Sequence, residues 1–220
     1  MGKYRYILFD LDGTLVYSHR GIYECIAIAL QQMGKPLPTA EQLARCIGPT
    51  LMYSFQNYFG LNEEDAWEAT GRYRAVYPER GMYNCQVIEG MVACVEALKG
   101  VGYRLAVATS KPETFAKKIA ERFEFAGYFE EIVGCGLDGS LNTKASVIEE
   151  ALKRLGASAD ECLMVGDRHH DVEGARENGM DVALLKVGYA ENEEEYEWSK
   201  PDYIFDNFEK LQAFLTEKTK

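Results

Sequence analysis

Six short, nearly unbroken apolar runs punctuate this chain: residues 4–9 (YRYILF), 104–108 (RLAVA), 131–134 (EIVG), 162–166 (CLMVG), 182–187 (VALLKV) and 203–205 (YIF). They lack the polar–apolar alternation of a strand with one wet face and suit parallel strands covered on both sides. Between the later runs, apolar residues recur at helical spacing over 88–100, 113–125, 143–155, 169–178 and 207–217. Repeated strand-then-helix predicts an α/β fold with a Rossmann-like, doubly wound parallel sheet. The rhythm fails in one interval. From 17 to 86 no strand is predicted, and helical spacing recurs over 20–33, 39–46, 50–59 and 62–79, with Gly34, Pro36, Pro38, Gly48–Pro49 and Gly60 at the breaks. Roughly 70 residues there exceed any ordinary loop. They predict an α-helical cap domain, 17–86, inserted into a core made of 1–16 plus 87–220, with hinges at 14–18 and 80–88.

The chain has 220 residues, with 35 acidic and 24 basic side chains and a net charge of −11. A surface of that sign repels nucleic acid and anionic membrane, so neither is expected as a partner. Any bound anion needs local positive charge or a cation. No apolar run reaches the ~20 residues that span a bilayer. The apolar stretch near the N-terminus is too short for a signal peptide and contains acids. The six cysteines form no C-x-x-C pair and sit among apolar neighbours, as buried thiols do in a reducing compartment. A cytoplasmic monomer is expected, with a dimer as the second option. The acidic stretch 191–197 (ENEEEYE) reads as a solvated loop.

Asp10 and Asp12 close the first predicted strand, and Gly13 allows a sharp turn after them. Open α/β sheets bind ligands at the carboxyl ends of their strands. Two carboxylates there, with no lysine nearby in sequence, are costly unless a cation or a reaction uses them. Asp167 and Asp171 follow the fourth strand, Asp167 as a candidate helix cap and Asp171 one turn in. Oxygen ligands converging from two strand ends suit Mg²⁺. Thr109 and Ser110 end the second strand, where hydroxyls and free backbone N–H groups make an anion-binding concavity or a plain helix cap. Lys144 falls in the first turn of a helix capped by Asn142 or Thr143, where the helix dipole disfavours a cation. It either tolerates this at the surface or reaches back to neutralise a carboxylate and a phosphate. The run Arg168-His169-His170-Asp171 does not predict a zinc site, because adjacent helical residues face different ways.

In order, FDLDGTL at 9–15, VATSK at 107–111, Lys144 and VGDRHHD at 165–171 resemble the four motifs of the haloacid dehalogenase superfamily. The likeness spans nearly the whole chain. The helical insert resembles the C1 cap of its phosphoglycolate phosphatase-like branch, as do IGPTL at 47–51 and YPERGMY at 77–83. The resemblance implies a Mg²⁺-dependent phosphatase acting on a small phosphorylated metabolite. It implies Asp10 as nucleophile, Asp12 as acid and then base, and Lys144 as partner of Asp10 and the phosphate. Gly13, Thr109, Ser110 and Lys144 would bind the substrate. The Asp10 carboxylate, the Asp12 backbone carbonyl and the Asp167 carboxylate would hold Mg²⁺, with Asp171 as an auxiliary or outer-shell ligand. Two stretches depart from the branch: Ile88-Glu89-Gly90-Met91 at the hinge, and Arg168-His169-His170 inside the last motif. Arg45, Thr50, Arg72 and Arg74 are candidates for specificity. A sugar-phosphate mutase of the same fold is the alternative. A receiver-like phosphoacceptor module is remote, because here the acidic pair ends the first strand.

Overall fold

The computed structural model describes residues 3–190 and 192–217. Met1, Gly2 and 218–220, at the ends of the predicted core, and Glu191, the first acid of the acidic stretch, lie outside the described residues. The first apolar run forms strand β1 (Tyr6–Phe9). The later runs form β4 (Arg104–Pro112), β5 (Glu131–Cys135), β6 (Cys162–Gly166), β7 (Asp181–Leu185) and β8 (Tyr203–Phe205). They make one sheet in the order β5-β4-β1-β6-β7-β8, with every pair parallel. Alternate residues face opposite sides. Ile7 and Phe9 join one apolar cluster, and Tyr6 and Leu8 join another. Helices α5 (Met91–Gly100), α6 (Glu113–Arg122) and α10 (Phe208–Glu217) supply the first cluster; α7 (Lys144–Leu155) and α8 (His169–Glu177) supply the second. The sheet is therefore doubly wound. β1 lies between β4 and β6, so the chain switches direction at its carboxyl end, where such sheets open a crevice.

The interval after β1 holds four helices: α1 (His19–Gln32), α2 (Ala40–Ala44), α3 (Leu51–Asn57) and α4 (Glu63–Arg80). Each of the last three starts at a side-chain cap, from Thr39, Thr50 and Asn62. Contrary to the strandless reading, two-residue strands β2 (Val16–Tyr17) and β3 (Gln86–Val87) pair antiparallel where the chain enters and leaves the insert. Two segments that must run side by side there satisfy each other's backbone groups. The insert shares the first apolar cluster: Cys25 and Ile26 of α1 and Tyr73 and Tyr77 of α4 belong with Phe9 and Phe115.

A second correction concerns the acidic stretch. It is not a loop but helix α9 (Glu193–Ser199), started by Asn192, whose side chain accepts from the Glu195 N–H. Three acids in its first turn suit the helix dipole. Glu195 is buried against Arg168 rather than solvated.

Candidate active site

The turn after β1 is built around Gly13, at φ +88°. A Cβ there would stand 2.4 Å from Asp167 Oδ2 and 2.6 Å from the Tyr189 ring, so only glycine fits. The turn delivers Asp10 and Asp12, both buried, beside the ends of β4 and β6. Neither lacks a lysine. Lys144 Nζ lies 2.7 Å from Asp10 Oδ1 and 2.9 Å from Asp171 Oδ1 and donates to the Ala108 carbonyl at 3.2 Å. Lys111 Nζ lies 2.8 Å from Asp12 Oδ2. Thr143 is the cap of α7, so Lys144 is its first residue and is buried, not solvated. Burial alone would lower the Lys144 pKa; Asp10 and Asp171 outweigh it and raise it, so the ammonium is kept.

Asp167 and Asp171 follow β6. The residue capping α8 is Arg168, not Asp167; Asp171 Oδ2 reaches back to accept the N–H groups of Asp167 and Arg168, each at 3.1 Å. That leaves Asp167 free to face Asp10. The Asp167 oxygens accept from Thr14 Oγ1 at 3.1 Å and the Tyr189 N–H at 2.6 Å. Carboxylate oxygens of Asp10, Asp167 and Asp171 lie within 4.8 Å of one another, all buried. Burial pushes Asp10 up to about 6, with Lys144 opposing and Asp171 and Asp12 adding to it. Burial, then Asp171 and Asp10, push Asp167 well above the carboxylate range. Three buried carboxylates meet here and the Lys144 ammonium pairs with only two of them, Asp10 and Asp171, a donor set that fits a divalent oxygen-seeking cation.

At the end of β4 the register shifts between Thr109 and Pro112, leaving Ser110 and Lys111 unpaired with β5. Ser110 and Thr109 line a cleft of about 450 Å³ between the sheet edge and the insert, together with Asp10 and Asp12. Thr50, Met52 and Tyr53 face it from the start of α3, and Trp67, Tyr73, Arg74 and Tyr77 from α4. Of the specificity candidates, Thr50 and Arg74 reach the cleft, and Arg74 donates to the Leu137 carbonyl. Arg72 pairs with Glu68 one turn away, and Arg45 stacks over Tyr58, 4.6 Å from its centroid. Neither lines the cleft.

Sequence reasoning missed four contributors. Lys111 stood in a quoted motif without a role. Thr14 and Tyr189 hold Asp167, and the Tyr189 hydroxyl also accepts the Ser18 and His19 N–H groups at 2.8 and 3.1 Å, tying the site to the start of the insert. Arg168 is the fourth. Its guanidinium, fully buried, pairs with Glu195 at 2.9 Å and donates to the Ile47 carbonyl at 2.8 Å, just before the cleft-lining Gly48–Pro49. The histidines beside it are not splayed apart: the rings of His169 and His170 lie 3.8 Å centroid to centroid, and ligand atoms of His169, His170 and Glu173 fall within 4.8 Å of one another. His169 Nδ1 is engaged by Glu195 at 2.8 Å.

Comparison with known proteins agrees with this fold. Residues 7–185 match the family model of haloacid dehalogenase-like hydrolases. A protein of Pseudomonas aeruginosa named 5'-nucleotidase is 42% identical over 214 residues, covering 97% of this chain and 96% of its own. A phosphoglycolate phosphatase of Aliivibrio fischeri is 30% identical, covering 96% of each. The crystal structure of a predicted phosphatase from Clostridium acetobutylicum superposes with a TM-score of 0.93 at 37% identity, covering 97% of this chain and 99% of that one. A motif order read along the chain, a sheet whose switch point gathers those motifs, and likeness over nearly the full length all converge: the chain belongs to the haloacid dehalogenase-like hydrolases and is a phosphatase of that family.

Proposed function

We propose that this protein is a Mg²⁺-dependent phosphomonoesterase that works through an aspartyl-phosphate on Asp10, with 17–86 as a cap over a core of 1–16 plus 87–220. The observation that carries the reading is Lys144 Nζ, buried between Asp10 and Asp171 within 2.9 Å of each. A carboxylate attacking a phosphate dianion meets like charge, and a fixed cation beside the nucleophile offsets that repulsion as charge moves onto the phosphoryl oxygens. Asp10, Asp167 and the Asp12 carbonyl would hold Mg²⁺, with Asp171 supporting. Bound there, the ion would supply further positive charge to the transferring group.

The chain's own residues then divide the work. Asp10 attacks phosphorus, forming its O–P bond as the ester P–O bond breaks. Asp12 gives a proton to the departing oxygen. Thr109 and Ser110 hold the phosphoryl oxygens, and Gly13 lets the turn come close to them. Asp12 next takes a proton from the water that attacks the aspartyl-phosphate, releasing inorganic phosphate and restoring Asp10. The insert roofs the cleft and keeps bulk water from the intermediate.

For the leaving group we favour a nucleoside 5'-monophosphate. Trp67 and Tyr53 line the cleft yet remain 41% and 47% exposed, leaving aromatic surface for a planar base to pack on. The named activity of the 42%-identical relative supports the same substrate class. Phosphoglycolate is the second reading: Arg74 in the lining is a cation that could face its carboxylate, and the 30%-identical relative carries that name. Phosphate release measured across nucleoside monophosphates, phosphoglycolate and hexose phosphates tests both. Asp10→Asn should lower turnover by at least ~1,000-fold, as expected for a lost covalent route, with the fold intact. A variant retaining a tenth of the activity would remove Asp10 as nucleophile. Release only in the presence of a bisphosphate activator would favour the mutase.

A further inference from the structure

Asp12 has two oxygens in different circumstances. Oδ2 is 2.8 Å from Lys111 Nζ. Oδ1 is buried and has no hydrogen-bond partner among the described residues. Lys111 is itself held: its Nζ donates to the Tyr77 hydroxyl at 2.9 Å and lies 5.0 Å from the centre of that ring. Lys111 and Tyr77 are both buried. Tyr77 belongs to α4 of the insert, whereas Lys111 stands on the β4 irregularity that takes it out of register with β5. Such irregularities re-aim side chains next to sites.

We infer that Lys111, steadied by Tyr77, is a positioning residue for Asp12: it takes up Oδ2 and so presents Oδ1 to the departing oxygen. The inference rests on the phosphatase reading above and adds a requirement to it. Because Tyr77 comes from the insert, the hold is complete only while α4 sits against the sheet edge. Proton transfer is thereby tied to a covered cleft. Simple compensation of a buried lysine is the plainer account of the pair. It explains the contact at Oδ2 but not why the other oxygen of the same carboxylate is left unmatched beside the cleft. Replacing a buried ion pair by apolar groups of similar size is often neutral for stability, so a pair of this kind calls for a reason besides folding.

The test uses leaving groups of different proton demand. The phenolate of 4-nitrophenyl phosphate departs without a proton, whereas the alkoxide of an alkyl phosphate needs one. kcat/KM would be measured for both esters with wild type, Lys111→Met and Tyr77→Phe, with Asp12→Asn as the benchmark. General-acid contributions run to roughly 100–10,000-fold. Lys111→Met should therefore lose at least about tenfold more on the alkyl ester than on the aryl ester, in the same sense as Asp12→Asn. Tyr77→Phe should show the same bias to a smaller degree, and it answers the question if Lys111→Met fails to fold. Equal losses on both esters, or none, would overturn the positioning role while leaving the phosphatase reading intact. Wild-type protein releasing phosphate from neither ester would overturn that reading, and this inference with it.

Discussion

Asp10 and Lys144 stand 2.7 Å apart with both side chains almost wholly out of solvent. A surface lysine in a helix's first turn is dispensable, and removing it would raise stability by roughly 0.3–1 kcal/mol. Lys144 is the sole ammonium paired with the carboxylates of Asp10 and Asp171 among the described contacts, so its loss has the opposite sign. In Mg²⁺-free buffer near pH 8, Lys144→Ala should destabilise the fold by about 3–5 kcal/mol, the cost of breaking a buried pair. The deficit should shrink toward pH 5, as protons replace the missing cation. Turnover should fall at least ~100-fold. Melting curves and phosphate release on one sample check both; an unchanged turnover would return Lys144 to a structural part. Lys144 was legible because a cation at the start of a helix runs against the dipole. Lys111 gave no comparable signal. Its meaning depends on Asp12 and on Tyr77, 34 residues away in sequence and on a different element. Thr14 and Tyr189 are ordinary in sequence for the same reason: each acts through a contact with Asp167 more than 20 residues off.

Among the elements, apolar runs predicted every strand of the large sheet, because burial on both faces leaves a composition that no other element near these turns would share. Helix α9 was hidden by its own charge. Its polar surface reads as loop, and the one acid that turns inward is marked by Arg168 and His169, at the distant start of α8. Glu195 Oε1 meets Arg168 Nε and the N–H and Nδ1 of His169, all within 2.9 Å. Arg168 in turn holds the Ile47 carbonyl at the edge of the cleft. Glu195→Gln keeps the shape and removes the charge that compensates a buried guanidinium. It should cost about 3–5 kcal/mol, again the range for one partner lost from a buried pair, read as a lower melting temperature. It should also raise KM more than it lowers kcat, since the Ile47–Thr50 segment lines the substrate side of the cleft rather than the reacting atoms. A loss of kcat alone would mean that Arg168 acts on Asp167 and not on the insert.

In the molecule as a whole, an acidic chain gathers three further acids where they are least solvated. β1 and β6 lie side by side, so the segments that follow them meet at one sheet edge, and the insert covers that edge. The linkage to pH follows from the direction of the shifts. In the unfolded chain these carboxyls titrate near ~4. Burial raises Asp10 to about 6 and Asp167 well above its ordinary range. Through that window these two carboxyls bind more protons in the folded state than in the unfolded one, so their contribution to stability falls as pH rises from about 4 through 6, and further where Asp167 titrates. A divalent cation held by the same oxygens would take the place of those protons. It should therefore add little at pH 5, where protons compete for the oxygens, and much more at pH 8, where the carboxylates repel. Melting temperatures with and without saturating Mg²⁺ at the two pH values measure the difference. The Mg²⁺-induced rise should be larger at pH 8 by several degrees, and Asp167→Asn should remove most of it. That substitution should also raise the melting temperature of the Mg²⁺-free protein at pH 8, because one of the crowded charges is gone. An equal rise at both pH values would mean that the cation binds elsewhere than among Asp10, Asp167 and Asp171.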